Sequence, residues 1–120
     1  MTGVVDATSV SLRFGDWGPG YLVEQDDAAF GVVVLRPGDE FANHLHEHHT
    51  ESFFCLEGSV EVWLDRKERV VLEAEQLLQA RPGIEHYLRN LGDVNARLLF
   101  VKSPGVAGDK VAIDWSPRSD

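Results

Sequence analysis

Short β-branched and apolar runs, each cut by turn-forming residues, constrain this chain more than any other feature. AFGVVVL (29–35) breaks at RPGDE, ESFFCL (51–56) stops at EGS, and SVEVWL (59–64) runs into the charged DRKE. RVVLEA, QLLQA, EHYLRN and ARLLFVK continue the pattern, with RPG and NLGD as turns between them. Strands at such regular spacing predict an all-β sandwich or barrel. DRKERVVLEAEQLLQA (65–80) has the charge of a surface helix, but its RVVL and its short, punctuated neighbours favour strands.

A chain of 120 residues with 43% hydrophobic residues suits one domain with one core. No Pro/Gly/Ser-rich linker divides positions 1–120, and the strand pattern is densest over about 29–101. An apolar and aromatic segment (9–24) precedes that core and could pair with a second copy across a two-fold axis. Residues 102–120 read as a loop with a loose end, anchored on the barrel by Trp115. The first ten residues contain neither a basic start nor an apolar run, and no window has the length of a membrane span. A lone Cys55 rules out a disulfide framework, so a cytoplasmic location is expected. The formal net charge of −9 and the lack of a basic stripe argue against nucleic acid and anionic membranes as partners.

Four of the five histidines fall between positions 44 and 49, in HLHEHH, and the fifth is His86. If His44 and His46 share a strand, both imidazoles point to one face, because strand parity has period two. Glu51 breaks that parity, so a turn must intervene. An adjacent antiparallel strand then places Glu51 beside the two histidines, and His86 adds an imidazole from across the barrel. Three imidazoles and one carboxylate suit one divalent transition metal ion (Fe, Mn, Zn, Ni or Co), and nitrogen-rich ligation disfavours Ca and Mg. His48 and His49 fall in the turn. They read either as solvated turn residues or as acid/base groups beside a bound substrate.

Gly38, His44, His46, Glu51 and Gly58 follow the spacing of the first cupin motif, and the segment resembles that superfamily. Chance agreement at all five positions is on the order of 10⁻⁴ over the chain. The second motif is partial: Gly83, His86 and Asn90 stand at the right spacing, while Arg81 replaces a proline and Glu75 a glycine. The resemblance implies a small single-domain jelly-roll β-barrel, often a homodimer, with a metal held by His44, His46, Glu51 and His86. Near His86, Arg81 reads as a solvent-facing cation or as a clamp for a substrate carboxylate.

The expected function is therefore a metal-dependent isomerase, lyase or dioxygenase acting on a small polar molecule such as a sugar acid or related carboxylate. A non-catalytic cupin that binds a small ligand, as sensor or carrier, is the alternative, since fold alone does not choose the chemistry.

Overall fold

The computed structural model describes residues 3–117, which leaves the last three positions of the tail outside the described residues. The strands are β1 (Gly18–Glu24), β2 (Ala29–Leu35), β3 (Glu40–His46), β4 (Thr50–Glu57), β5 (Ser59–Leu64), β6 (Glu68–Glu73), β7 (Leu77–Ala80), β8 (His86–Arg89), β9 (Ala96–Ser103) and β10 (Lys110–Ala112). They form two five-stranded sheets, ordered β1-β2-β9-β4-β7 and β10-β3-β8-β5-β6, with every named pairing antiparallel. This is the expected all-β jelly roll.

Alternation along the strands builds the core. Val33 and Leu35 on β2, Phe53 and Cys55 on β4, Val60 and Val62 on β5, and Leu98 and Phe100 on β9 are all buried in one cluster. Burying a Val, Leu or Phe side chain contributes about 1.5–3 kcal/mol each relative to exposure, so this row dominates the fold's stability. Cys55 is a free, buried thiol within it. The β4–β9 register pairs Cys55 with Leu98, Phe53 with Phe100 and Glu51 with Lys102. The inner row thus passes from apolar to charged, and the polar end is where a site can form.

Turn chemistry accounts for the strand boundaries. Asp65 and Arg66 have φ of 51° and 61°, the doubly left-handed pattern of a tight hairpin, so 65–80 becomes β6 and β7. Gly58 has φ of 73°, and a Cβ there would come within 2.7 Å of the Asn95 carbonyl oxygen. Arg81 opens the turn before β8: the Ile84 N–H donates to the Arg81 carbonyl at 3.0 Å. Pro82 and Gly83, the latter at φ 85°, supply the middle of that turn. The changed second motif therefore still delivers a tight turn. Asn90 bonds the backbone around its own turn, donating to the Leu35 and Val94 carbonyls and accepting from the Gly92 N–H.

The tail departs from the expected loop. Residues Lys110–Ala112 form β10 and pair with β3, because an antiparallel partner covers an edge of β3 that would otherwise be open. Trp115 does anchor this segment: its ring lies 5.9 Å from that of Trp63 and 6.3 Å from that of Tyr87. At the other end, β1 pairs with β2 of its own chain, and the Arg13 N–H donates to the Pro19 carbonyl. No helix among the described residues is long and apolar enough to cross a membrane.

Candidate metal centre

His44 and His46 lie on β3 and are both buried, as strand parity requires. The structure exchanges the roles expected of the other two residues. His86 sits on β8, which is hydrogen-bonded to β3, and is the direct ladder partner of His44. Glu51 sits on β4, in the opposite sheet. The turn after His46 crosses between sheets rather than closing a hairpin, so the carboxylate approaches the three imidazoles from across the barrel.

The four side chains converge. Glu51 Oε1 lies 2.8 Å from His46 Nε2, 3.0 Å from His86 Nε2 and 3.7 Å from His44 Nε2. One donor atom from each residue can be chosen so that all four lie within 4.8 Å of one another. Donors bound at right angles about 2.1 Å from one ion lie ~3 Å apart, so the carboxylate–imidazole separations match a shared metal.

The far nitrogens explain why a cation fits. His44 Nδ1 lies 2.7 Å from the Ala42 carbonyl oxygen, and His86 Nδ1 lies 3.0 Å from that of Ile84. A carbonyl only accepts, so both Nδ1 atoms carry a hydrogen, which leaves each Nε2 as the ring atom directed toward Glu51. Burial pushes the His44 imidazole below its ordinary range, toward the neutral form. Burial alone would raise the Glu51 carboxyl, but its contacts with His44, His46 and His86 outweigh it and hold the group well below the usual carboxylate range. A buried carboxylate ringed by three imidazole Nε2 atoms is a donor set that a divalent cation would satisfy. The cluster is able to hold a metal ion.

His48 and His49 part company. His48 is exposed, and its Nδ1 lies 2.6 Å from Asp109 Oδ1, a contact that raises its pKa. His49 is not a solvated turn residue: it is 2% exposed, with its ring centroid 4.0 Å from that of His46. Burial, then the neighbouring His46, pushes its pKa down to about 4. Asp109 is the reason for both placements, since its carboxylate accepts from the His48 N–H at 2.9 Å and the His49 N–H at 3.1 Å. No local pattern in the sequence marks Asp109 as a clamp on a turn so far away.

Arg81 is exposed and lines an outer groove with Leu64, Lys67 and Pro82, away from the four-residue cluster. The cations that do approach His44 and Glu51 are Arg13, Lys102 and Lys110, which line a narrow cleft with Tyr21 and Phe41. Burial, with Arg13 and Lys102 close by, pushes the Lys110 ammonium below the usual lysine range. Lys102 had a signal in the sequence, because it continues the inward parity of Leu98 and Phe100.

Comparison with known proteins identifies the family. The sequence is 52% identical over 82 residues to the quercetin 2,3-dioxygenase of Bacillus subtilis (strain 168), covering 67% of this chain and 24% of that protein. It is 38% identical over 74 residues to the polyketide synthase CurC of Streptomyces cyaneus, covering 62% of this chain and 47% of that protein. The chain thus spans less than half the length of these curated relatives. A Klebsiella pneumoniae protein with a double-stranded β-helix domain superposes with a TM-score of 0.84 at 23% identity, over 96% of this chain and 100% of that one, a likeness of fold. Residues 31–102 match the Cupin domain family. That match covers more than half of the sequence and includes β3, β4 and β8, the three strands that carry the candidate metal-binding residues: the chain belongs to the cupin domain family.

Proposed function

We propose that this cupin is a metal-dependent enzyme that acts on a small polar molecule bound to the ion through oxygen. The observation that carries the reading is the convergence of three Nε2 atoms on Glu51 Oε1, with the His44 and His86 tautomers set by backbone carbonyls. His44, His46, Glu51 and His86 would hold one divalent Fe, Mn, Zn, Ni or Co ion. Such an ion supplies Lewis-acid polarisation of a substrate oxygen or, if it is iron, dioxygen chemistry. Phe53 and Phe100 keep the inner side of the cleft apolar, which restricts water and strengthens electrostatic contacts there. The substrate class is a sugar acid or related carboxylate, and the reaction an isomerisation, a lyase step or a dioxygenation. The similarity to a protein named as a dioxygenase supports an enzymatic role and keeps oxygen chemistry among the three. The enzyme works as a cytoplasmic homodimer; exposed Val71 and Leu77 on the edge strands β6 and β7 support association, and a monomeric elution profile would refute it.

The deciding experiment is elemental mass spectrometry on protein purified without a metal-affinity tag, beside the His44→Ala/His46→Ala variant. Near-stoichiometric metal in the parent, lost in the variant, is the expected result. Iron would direct the next assays to dioxygen uptake, and the other ions to isomerase and lyase chemistry. If both proteins are empty and neither takes up added metal, the metal-enzyme reading fails and a non-catalytic ligand-binding cupin replaces it.

A further inference from the structure

Arg13, Lys102 and Lys110, three of only eleven Lys and Arg residues in a chain of net charge −9, line the cleft above His44 and Glu51. Two of them are aimed there by strand geometry. Lys102 shares the inward face of β9 with Phe100 and stands opposite Glu51 in the β4–β9 register. Lys110 stands opposite His46 in the β10–β3 register, and directly opposed residues share a face.

Glu51 lines the same cleft but forms no ion pair with any of them. Among the described residues none of the three forms an ion pair, whereas Arg36, Arg66, Arg69 and Arg89 each do. Glu51 is occupied by the histidines and Asp109 by His48 and His49. Glu24 borders the wider outer cavity and hydrogen-bonds to none of the three cations. The ammonium groups are nonetheless held in place. Lys102 Nζ donates to the Tyr21 hydroxyl at 2.7 Å and lies 5.2 and 5.5 Å from the Tyr21 and Phe100 ring centroids, while Lys110 Nζ lies 5.3 Å from that of Phe41. An ammonium has three donors, and the Tyr21 hydroxyl takes one of those on Lys102. A low-dielectric cleft lined by one sign of charge concentrates ligands of the other.

Space limits the ligand. The inner cleft has a volume of about 30 Å³, and the outer cavity that shares Arg13, Tyr21, Lys102 and Lys110 with it has about 210 Å³. About 10–15 Å³ accommodates one water, so the inner part takes a group of a few atoms.

We propose that this cleft recognises a carboxylate, with Lys102 and Lys110 as its anchors and Arg13 at its outer edge. It rests on the metal-enzyme reading only in making that carboxylate part of the substrate. Charge-assisted hydrogen bonds to a carboxylate are about twice as strong as neutral ones, which translates into roughly a tenfold preference for an acid over its amide.

The test is calorimetric titration of the full-length protein, with the metal it carries when purified, against pyruvate, glycolate and benzoate and against the matching uncharged amides. At least one acid should bind about tenfold more tightly than its amide. That preference should be lost in Lys102→Met/Lys110→Met and kept in Lys102→Arg/Lys110→Arg, with metal content and melting temperature unchanged. No preference in the parent, or a preference that survives the double methionine variant, overturns the proposal. Preference without any bound metal would sustain the carboxylate site while refuting the metal-enzyme reading; metal without preference would do the reverse.

Discussion

His44 and His86 face each other across the β3–β8 ladder with ring centroids 4.2 Å apart, and each is tied by Nδ1 to the carbonyl two residues before it. The same local geometry on two neighbouring strands therefore sets both tautomers. Backbone atoms do this, so the Nδ1 end of each ring is held without a side-chain partner. The Phe41–His44 irregularity in β3 is what brings His44 into register with His86.

Glu51→Gln separates charge from shape at this centre. Glutamine keeps the shape of the side chain and its amide can hydrogen-bond the Nε2 atoms, so the fold should survive with a melting temperature close to the parent's. Metal affinity should fall by at least about 100-fold, since a charged ligand contributes more than the outer partners whose loss costs 10–100-fold. Equilibrium dialysis with elemental analysis measures it; unchanged affinity would remove Glu51 from the ligand set.

Asp109→Ala should release the turn that seats His49. Two backbone N–H groups lose their acceptor, at a cost of about 2 kcal/mol. Denaturant midpoints report the loss, and amide exchange should accelerate at His48 and His49 while the β4 and β9 core amides stay protected. Uniform acceleration would mean that Asp109 supports the whole barrel.

Glu61 gives the chain an acid-sensitive brace. Burial pushes its carboxyl up, but hydrogen bonds from Arg69, Arg89 and Trp63 outweigh this and hold it below the ordinary glutamate value. The unfolded chain then takes up the proton first. The stabilisation is complete above the unfolded-state pKa and is lost as pH falls through the lower folded-state value. Glu61→Gln should be less stable than the parent by about 2 kcal/mol at neutral pH, with a shallower loss of stability below the ordinary glutamate pKa. Parallel melting curves in that acid range would disprove the assignment.

Glu75 occupies the position of a cupin-motif glycine and has φ of 71°, in the left-handed region. That conformation costs an L-residue about 1–2 kcal/mol, partly offset by the entropy that glycine loses on folding. Glu75→Gly should therefore stabilise the protein by up to about 1 kcal/mol, read as a rise in denaturant midpoint. A fall would show that the glutamate side chain compensates for its backbone.

Much of the fold was legible because strand runs and turns are local signals. AFGVVVL is β2 to the residue, and SVEVWL is β5. The tail was not: Lys102 and Ser103 extend β9, and the short Lys110–Ala112 pattern becomes a strand through the open edge of β3. The placement of His49 was not legible for a related reason. HLHEHHT looks like a polar turn, and Asp109, distant in sequence, turns one of its histidines inward.

By itself the sequence determined the strands of the barrel core, the side-chain parity that puts His44 and His46 on one face, and the motif that groups them with Glu51 and His86. Those are consequences of covalent geometry and of spacing within short segments. Only the tertiary structure decided that His86 neighbours His44 while Glu51 approaches from the opposite sheet, that Arg81 lies outside, and that Lys102 and Lys110 flank the cleft. Which strand lies beside which depends on burying apolar rows and covering open edges across the whole chain, and no local run of residues carries that information.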